Sequence, residues 1–257
     1  MEDLALNRRQ EELVALVRRE GFATVEALAA QFEVTPQTIR RDLNALCDAG
    51  MLRRYHGGVS VPASVENLAY AARKSLQMEE KQRIAALLAR HIPDDASLFI
   101  NIGTTTEGVA RALMGHKGLR VITNNLNVAC MLSENPSFQV IAAGGVVRGR
   151  DHGVTGEATI ELIRQFKVDY GVIGISGIDP DGTLLDFDYQ EVRVAQAIIE
   201  HSRQVYLAAD HSKLGRNALV RLGPITGVHA WFTDQAPPPE LAAVLAEAGT
   251  QVHVAQE

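Results

Sequence analysis

The stretch from Thr35 to Leu46 constrains the N-terminal part of the chain more than any other. Thr35 can accept hydrogen bonds from the free amides of a first helical turn. Pro36 then occupies the first helical position, where its missing N–H costs nothing. One apolar stripe follows at helical spacing, formed by Ile39, Leu43 and Leu46. The stretch therefore predicts a helix that begins at Pro36 and packs through this stripe.

Polar side chains occupy the opposite face of this helix. At about 100° per residue, Gln37, Arg41 and Asn44 point away from the apolar stripe, with Arg40 on its flank. Guanidinium and amide groups can hydrogen-bond base edges or grip phosphates. An ordinary solvent-exposed helix face has the same composition, so the neighbouring segments must decide between the two interpretations.

Two further helices are predicted upstream of this one. Arg8–Glu20 carries apolar residues at helical spacing, and Thr24 can cap a second helix that ends before Glu33 and Val34. Three short helices, the last two joined by a tight turn, indicate a helix-turn-helix. In that motif the second helix crosses the DNA backbone and the third enters the major groove.

A basic hairpin is predicted directly after these helices. Met51–Val61 partly alternates apolar and polar residues around the turn dipeptide Gly57-Gly58. It carries Arg53 and Arg54 and is typical of a two-stranded wing. The helix-turn-helix and a basic wing together are much more specific than either alone. We therefore expect a winged helix-turn-helix DNA-binding domain over residues 1–61.

The charge balance argues against strong non-specific binding to nucleic acid. The whole chain has a net charge of −6, and residues 1–60 hold eight Arg against nine Asp plus Glu, which gives −1. Only residues 35–60 are locally basic, with four Arg against two Asp, or +2. Because the phosphate contribution grows with the number of contacts, the predicted DNA-binding surface is a small patch.

Several protein classes are not indicated. Cys47 and Cys130 lie far apart and the eight histidines are scattered, so neither a disulfide framework nor a metal site is expected. No apolar run approaches the ~20 residues that span a bilayer. The acidic N-terminus lacks the apolar core of a signal peptide. We expect a cytoplasmic protein that needs no cofactor and has no membrane partner.

After a linker predicted over residues 62–78, the pattern changes. From Ser97 onward, short apolar strands alternate with helices, which is typical of a parallel sheet in an α/β domain. We expect this second domain to span residues 79–257. The predicted strands are 98–102, 119–123, 139–143, 170–175, 204–209, 219–222, 228–233 and 251–254. The predicted helices are 79–91, 106–113, 126–133, 159–165, 192–201 and 238–248.

Polar and glycine-rich clusters follow four of these strands. Ligands bind at the carboxyl ends of strands in such sheets. Gly103 and the threonines after it would present donors to an anion at the start of a helix, and Lys213 could supply a point charge to a phosphate. Each cluster alone is what turns and helix caps contain. Four clusters at equivalent strand ends predict a pocket for a small phosphorylated molecule.

The acidic run from Asp186 to Glu191 admits two interpretations. Its carboxylates could accept hydrogen bonds from ligand hydroxyls, or they could simply begin the next helix, where acids suit the dipole. The segment that precedes it, from Gly174 to Thr183, contains no GxGxxG. A dinucleotide-binding site is therefore not predicted.

These motifs resemble those of the DeoR family of bacterial transcription regulators. The resemblance is carried by Val34–Leu43 with Arg54–Gly58, and by 103–106, 123–125, 144–145, 174–179 and 210–213. It implies a winged helix-turn-helix followed by a Rossmann-like α/β sensor domain similar in fold to ribose-5-phosphate isomerase. It also implies a homodimeric or homotetrameric repressor that binds double-stranded operator DNA and a sugar phosphate, without turning the sugar phosphate over.

Within the family, a narrower resemblance covers residues 123–129, 156–159, 186–193 and 210–218. It implies control of glycerol metabolism by sn-glycerol 3-phosphate. A sensor of another phosphate, such as fructose 1-phosphate, and an isomerase fused to a DNA-binding domain are the alternatives. In the second, Asp186, Asp188, Glu191 and Lys213 would be acid–base groups. The family usually has Asp where this chain has Asn101, which leaves the effector open.

Two sets of binding residues are predicted. The DNA-binding set is Thr35, Gln37, Thr38, Arg40, Arg41, Asn44, Arg53, Arg54, His56 and Gly57. The effector-binding set is Asn101, Gly103, Thr104, Thr105, Thr106, Asn124, Asn125, Gly144, Gly145, Arg148, Asp186, Glu191, Asp210 and Lys213.

Overall fold

The computed structural model describes residues 6–20, 22–55, 58–60 and 70–256. The chain divides into two compact units, Met1–Gln77 and Met78–Glu257. Part of the linker predicted over residues 62–78 lies outside the described residues. Tyr70–Ser75, within that predicted linker, is helical.

The N-terminal unit contains four helices and three strands among its described residues. They are α1 (Arg8–Glu20), β1 (Phe22–Thr24), α2 (Val25–Gln31), α3 (Pro36–Asp48), β2 (Arg53–Tyr55), β3 (Gly58–Ser60) and α4 (Tyr70–Ser75). The side chain of Thr24 caps α2 by accepting from the Ala27 amide, and Thr35 caps α3 by accepting from the Thr38 amide. Both predicted caps are confirmed.

The predicted two-stranded hairpin of the wing is present, and a third strand extends it to a three-stranded sheet. β2 and β3 pair antiparallel, and β1 pairs antiparallel with the other edge of β3. Gly58, predicted as part of the turn, is the first residue of β3. β1 escaped prediction because three residues before a helix cap are too few to display alternation.

Helix α3 is held by its predicted stripe and by one ion pair. Ile39, Leu43 and Leu46 are fully buried against α1 and α2. Asp42, between two of them, is also buried, and its Oδ2 accepts a hydrogen bond from Arg9 Nε at 2.6 Å. Since Arg9 belongs to α1, this contact fixes α3 against α1 on the side away from its polar face.

The C-terminal unit contains a doubly covered α/β sheet. Its helices are α5 (Met78–Ala89), α6 (Thr104–Ala112), α7 (Leu126–Leu132), α8 (Glu157–Arg164), α9 (Tyr189–Glu200) and α10 (Pro239–Ala248). Its strands are β4 (Ser97–Ile100), β5 (Arg120–Thr123), β6 (Gln139–Ala142), β7 (Val146–Val147), β8 (Val154–Thr155), β9 (Val168–Ile173), β10 (Gly177–Ile178), β11 (Thr183–Asp186), β12 (Ser202–Ala208), β13 (Val220–Pro224), β14 (Ala230–Thr233) and β15 (Gln251–Val254).

Seven of these strands form one parallel sheet in the order β15-β14-β12-β9-β4-β5-β6. From β4 the chain proceeds outward through β5 to β6, then returns to the other side of β4 as β9 and proceeds to β15. Leu98 and Ile100 of β4 pack with α5, α6 and α7, whereas Phe99 faces α8, α9 and α10. The predicted α/β fold with a parallel sheet is confirmed. The strand order reverses between β4 and β9, which is where such sheets bind ligands.

Two small sheets lie outside the prediction. The strand predicted at 219–222 corresponds to β13, but it pairs antiparallel with β11 in a sheet of order β10-β11-β13 and takes no part in the parallel sheet. β7 and β8 form an antiparallel hairpin that was not predicted. Strands of two residues carry no periodicity that a sequence pattern could reveal.

Gly145, between β6 and β7, provides a test of the backbone in this region. It has a φ of 148°, and a Cβ atom built there would lie 2.3 Å from Thr159 Oγ1 and 2.7 Å from the Thr155 carbonyl oxygen. We expect Gly145→Ala to lower the free energy of unfolding by about 2–3 kcal/mol, through backbone strain and overpacking. Urea unfolding of the full-length chain measures this change.

The neighbouring Gly144 is the matched control. Its φ lies outside the left-handed region, and a Cβ there would meet nothing within 4 Å. Gly144→Ala should change the free energy of unfolding by less than about 0.5 kcal/mol. Equal effects of the two substitutions would contradict the packing described for Gly145.

Candidate nucleic-acid interface and effector site

The polar face of α3 is exposed as the helical spacing predicts. Gln37, Arg40, Arg41 and Asn44 are all exposed, and Thr38 is half-buried. Arg40 Nη2 lies 3.9 Å from Glu26 Oε1 of α2, and both side chains are at least half exposed. An ion pair this open contributes little stability, so the Arg40 guanidinium can exchange Glu26 for another anion.

The other predicted DNA-binding residues lie on the wing, at the start of α3, or outside the described residues. Arg53 and Arg54 are exposed on β2 of the wing. The hydroxyls of Thr35 and Thr38 lie 2.9 Å apart and serve the start of α3. His56 and Gly57 lie outside the described residues. Contact of any of these groups with DNA stays a prediction.

In the C-terminal unit, the first turn of α6 forms a site suited to an anion. Gly103 precedes the helix with a φ of 155°, and this N-cap residue makes no side-chain hydrogen bond to the helix amides. Thr106 Oγ1 donates to backbone carbonyls, at 2.7 Å to Asn101 and 2.8 Å to Gly103. The Thr106 hydroxyl therefore shapes the loop. The amides that begin at Thr104 present the positive end of the helix.

The predicted pair Asn124 and Asn125 divides into two roles. Asn125 Oδ1 caps α7 by accepting from the Asn127 amide at 3.0 Å, and its Nδ2 donates to Glu107 Oε1 at 3.1 Å. Asn124 Nδ2 donates to the Val154 carbonyl at 3.1 Å, and the buried Asn124 Oδ1 has no partner among the described residues. Of the two side chains, Asn124 retains a group for a ligand.

Asp210, just beyond the end of β12, is a fully buried carboxylate beside two lysines. Burial alone would raise the pKa of Asp210, but Lys213, a hydrogen bond from Ser212 and Lys81 together hold it below its ordinary value. Asp210 is therefore ionised at neutral pH, and two lysine side chains lie near it. Such a set favours an anionic ligand.

Lys81 is the residue that the sequence analysis missed. It lies on α5 and is buried together with Ile84, Ala85 and Leu88. A lysine at the start of an otherwise apolar helical stripe was the available signal, because lysine is rarely buried without a partner. Its proximity to Asp210 could not be foreseen, since the two residues are far apart in sequence.

Arg148 joins the β7–β8 hairpin to the start of α9 through three carboxylates. Its Nη2 lies 2.7 Å from Asp151 Oδ2, and its Nη1 lies 3.0 Å from Asp188 Oδ2 and 2.7 Å from Glu191 Oε2. Burial would lower the pKa of Arg148, but these carboxylates raise it above its ordinary value. The structure thus pairs the predicted effector residues Arg148 and Glu191 with each other.

The acidic run from Asp186 to Glu191 contains carboxylates in two different environments, a helix cap and a buried position. Asp188 caps α9, where its Oδ1 accepts from the amides of Gln190 and Glu191. Asp186 is buried instead, and its Oδ1 accepts from Ser176 Oγ at 2.9 Å and from the Phe187 amide. The role of Asp186 toward a ligand stays a prediction.

Sequence comparisons agree with this architecture of a DNA-binding unit and a ligand-binding α/β unit. A model of the DeoR-like helix-turn-helix domain matches residues 9–65, and a model of the DeoR C-terminal sensor domain matches residues 76–235. Together, the two units define a transcription regulator. The chain belongs to the DeoR family, and its assignment to this family from the sequence motifs is confirmed.

Several curated relatives are similar over most of their length. A glycerol-3-phosphate regulon repressor of Escherichia coli (strain K12) is 49% identical over 96% of this chain and 98% of its own. One of Haemophilus influenzae is 51% identical over 89% of each chain. The HTH-type transcriptional repressor CsqR of Escherichia coli is 39% identical over 99% of this chain and 98% of its own.

Solved structures are more distantly similar. Ribose 5-phosphate isomerase A from Neisseria gonorrhoeae matches 55% of each chain at 15% identity, with a TM-score of 0.40. The tetrameric eIF2B-beta2-delta2 complex from C. thermophilum matches 94% of this chain and 71% of that chain at 13% identity, with a TM-score of 0.47. Likeness this weak carries no information about function.

The described residues also bear on metal binding and on membrane crossing. Within the described ranges, no group of three or more His, Cys, Asp or Glu side chains could hold a metal ion. In that part of the chain, no helix is long and apolar enough to cross a membrane.

The Arg148 cluster predicts a pH-dependent loss of stability. Arg148→Met would remove the buried cation that contacts all three carboxylates and would leave only the more exposed Arg150 near two of them. We therefore expect a loss of about 3 kcal/mol at pH 7. Burial would raise the pKa of Asp188 above its ordinary 3.8. Hydrogen bonds from the Glu191 amide and from Arg148 outweigh burial, so the pKa is lowered. Its stabilisation is therefore present above pH 3.8 and is lost as the pH falls further. The difference between variant and wild type should therefore shrink as the pH falls below 3.8.

Arg150→Met is the matched control for this measurement. Arg150 is 47% exposed, and its Nη2 lies 3.2 Å from Asp188 Oδ2. Its replacement should cost at most about 1 kcal/mol. Urea unfolding of both variants between pH 7 and about pH 3 tests the assignment. A difference for Arg148→Met that does not shrink below pH 3.8 would contradict it.

Proposed function

We propose that this chain is a repressor whose operator binding is controlled by sn-glycerol 3-phosphate. The observation that carries the proposal is 49% identity, over 96% of the chain, to a protein named glycerol-3-phosphate regulon repressor. At 51% identity, the Haemophilus influenzae relative carries the same name. The regulator would act on double-stranded operator DNA in the cytoplasm, as a homodimer or homotetramer.

The geometry of the sensor unit supports a phosphorylated effector. The amides at the start of α6 suit a phosphate, because they are aligned with the positive end of the helix and its N-cap residue, Gly103, makes no side-chain hydrogen bond to them. Lys81 and Lys213 lie close enough to Asp210 to lower its pKa, which supports two cationic side chains near a bound phosphate.

The geometry of α3 supports the DNA-binding half of the proposal. Arg40, Arg41, Gln37 and Asn44 would contact bases or phosphates, with Arg53 and Arg54 of the wing beside them. In an oligomer, two α3 helices would enter successive major grooves about 34 Å apart. For release, the effector must prefer the conformation that cannot fit the operator. A coupling of about 1–3 kcal/mol is typical of such switches.

We also propose that the sensor unit binds its effector without turning it over. The family assignment indicates a regulator, and a fold shared with an enzyme does not confer its chemistry. Incubation of the protein with ribose 5-phosphate should yield no ribulose 5-phosphate. Formation of ribulose 5-phosphate at an enzymatic rate would favour the isomerase alternative.

Arg41→Ala tests the DNA-binding surface. Operator fragments are first selected from random double-stranded DNA with the wild-type protein, because the operator sequence is not encoded in the chain. Loss of one base or phosphate contact should weaken binding by about 1–3 kcal/mol per half-site, or roughly 5- to 150-fold. Fluorescence anisotropy of the labelled fragment measures this change.

Arg164→Ala is the control for Arg41→Ala. Arg164 lies on α8 of the C-terminal unit and pairs with Glu161 at 2.6 Å. The Arg164→Ala substitution removes the same charge as Arg41→Ala but should leave operator binding unchanged. Unchanged affinity of Arg41→Ala, with an unaltered thermal unfolding midpoint, would exclude Arg41 from the interface.

Ligand-dependent unfolding tests the effector. At about 100 times its dissociation constant, a ligand of the native state adds about 2.7 kcal/mol to the free energy of unfolding. We expect sn-glycerol 3-phosphate to produce this shift and to change the affinity for the selected operator. A shift with fructose 1-phosphate alone would keep the regulator and replace its signal. No shift with any phosphate would contradict the sensor site.

A further inference from the structure

Three buried oxygen atoms at the carboxyl edge of the parallel sheet lack a hydrogen-bond partner within the described part of the chain. They are Asn101 Oδ1, Asn124 Oδ1 and Asp210 Oδ2. The three residues are at most 2% exposed. A buried acceptor left unsatisfied is costly in free energy, and native proteins contain few of them. Three unsatisfied acceptors at one edge of a sheet therefore indicate a ligand that donates hydrogen bonds to them.

The strand order brings these residues around one crevice. Ile100 of β4 pairs with Thr123 of β5, so Asn101 and Asn124 directly follow paired residues on adjacent strands, about 5 Å apart. Asp210 follows β12, which only β9 separates from β4. All three thus lie near the reversal of strand order, where α6 also begins.

Two of the three acceptors have a fixed orientation. Asn124 Nδ2 donates to the Val154 carbonyl, so Asn124 Oδ1 is the atom of this amide that is left to contact a ligand. Asp210 Oδ1 already accepts from Ser212, through both its amide and its hydroxyl, and Oδ2 is left over. An ionised carboxylate has no hydrogen to donate. Asn101 differs, because an amide can turn either of its ends toward a ligand.

A phosphate group cannot satisfy Asn124 and Asp210. A phosphate dianion carries acceptors alone, and it would be repelled by the Asp210 carboxylate. The phosphate therefore belongs at the amides of α6 and the lysines. The acceptors require a different part of the ligand, one that carries O–H groups.

We propose that this site selects phosphate monoesters of polyols with at least two free hydroxyl groups, which donate to Asn124 Oδ1 and Asp210 Oδ2. This inference rests on the proposed function, and it adds that the free hydroxyl groups distinguish the effector from other phosphate esters. In a ligand with a ketone in place of one hydroxyl, the ketone oxygen can only accept hydrogen bonds, and so can the protein oxygen that it would face. A site built to bind a hydroxyl rejects such an analogue strongly.

Calorimetric titration of the full-length chain tests the proposal with four ligands. sn-Glycerol 3-phosphate has two hydroxyls, dihydroxyacetone phosphate has one hydroxyl and a ketone, 3-hydroxypropyl phosphate has one hydroxyl, and inorganic phosphate measures the anion site alone. We expect both analogues to bind at least about 100-fold more weakly than sn-glycerol 3-phosphate.

The outcomes separate this inference from the proposed function. Binding of all three esters within threefold of one another would overturn hydroxyl selection and leave sn-glycerol 3-phosphate as effector. Binding of none of the esters would overturn both proposals. Tight binding of dihydroxyacetone phosphate together with weak binding of sn-glycerol 3-phosphate would likewise overturn both.

Asp210→Asn gives a second, independent readout. The amide places a donor where the carboxylate has an acceptor, so the preference for sn-glycerol 3-phosphate over dihydroxyacetone phosphate should fall at least about tenfold. The ratio of the two affinities cancels any change in phosphate binding. Glu247→Gln, at an exposed position on α10, removes the same charge and should leave the ratio unchanged. An unchanged ratio in folded Asp210→Asn would overturn the role of Asp210, and the four-ligand series tests the inference if this variant does not fold.

Discussion

The reversal of strand order between β4 and β9 is the constraint on which the sensor unit depends. Because the chain leaves these adjacent strands in opposite directions, their carboxyl ends open a crevice that no connecting helix fills. The start of α6 lies at this edge, and its N-cap residue, Gly103, makes no side-chain hydrogen bond to the helix amides. Asn101, Asn124 and Asp210 follow strands on both sides of the reversal, so the topology brings together groups that are more than a hundred residues apart.

Two charge clusters at this edge differ in how fully their members are satisfied. In the first, Arg148 is 12% exposed and contacts Asp151, Asp188 and Glu191, so four of its five N–H groups donate within the protein. Buried ion pairs of this kind fix geometry more reliably than they add stability. In the second, Asp210 keeps one oxygen without a partner although it is fully buried. A satisfied cluster holds the hairpin and α9 in place, whereas an unsatisfied one is a cost that a ligand can remove.

Local chemistry determined what the sequence could predict. Thr35 and Pro36 specify the start of α3 by themselves, and the seven parallel strands have apolar runs long enough to be seen. β1, β7 and β8 were missed because two or three residues carry no period. The pairing of β13 with β11, the partners of Arg148 and the approach of Lys81 to Asp210 are all long-range contacts. No spacing within a segment encodes such contacts, so the sequence located the carboxyl edge but could not distribute roles among its residues.

The charge of the chain bears on how such a regulator can switch. A protein with net charge −6 and a local excess of only +2 over residues 35–60 can form few phosphate contacts, and its non-specific affinity for DNA is correspondingly small. In the proposed complex, operator affinity would then depend on base contacts from one face of α3, and such contacts are sensitive to geometry. A small displacement of the two α3 helices of an oligomer would then be enough to release the operator. A coupling of about 1–3 kcal/mol from the sensor unit is then sufficient, whereas a strongly basic protein would remain bound to DNA non-specifically.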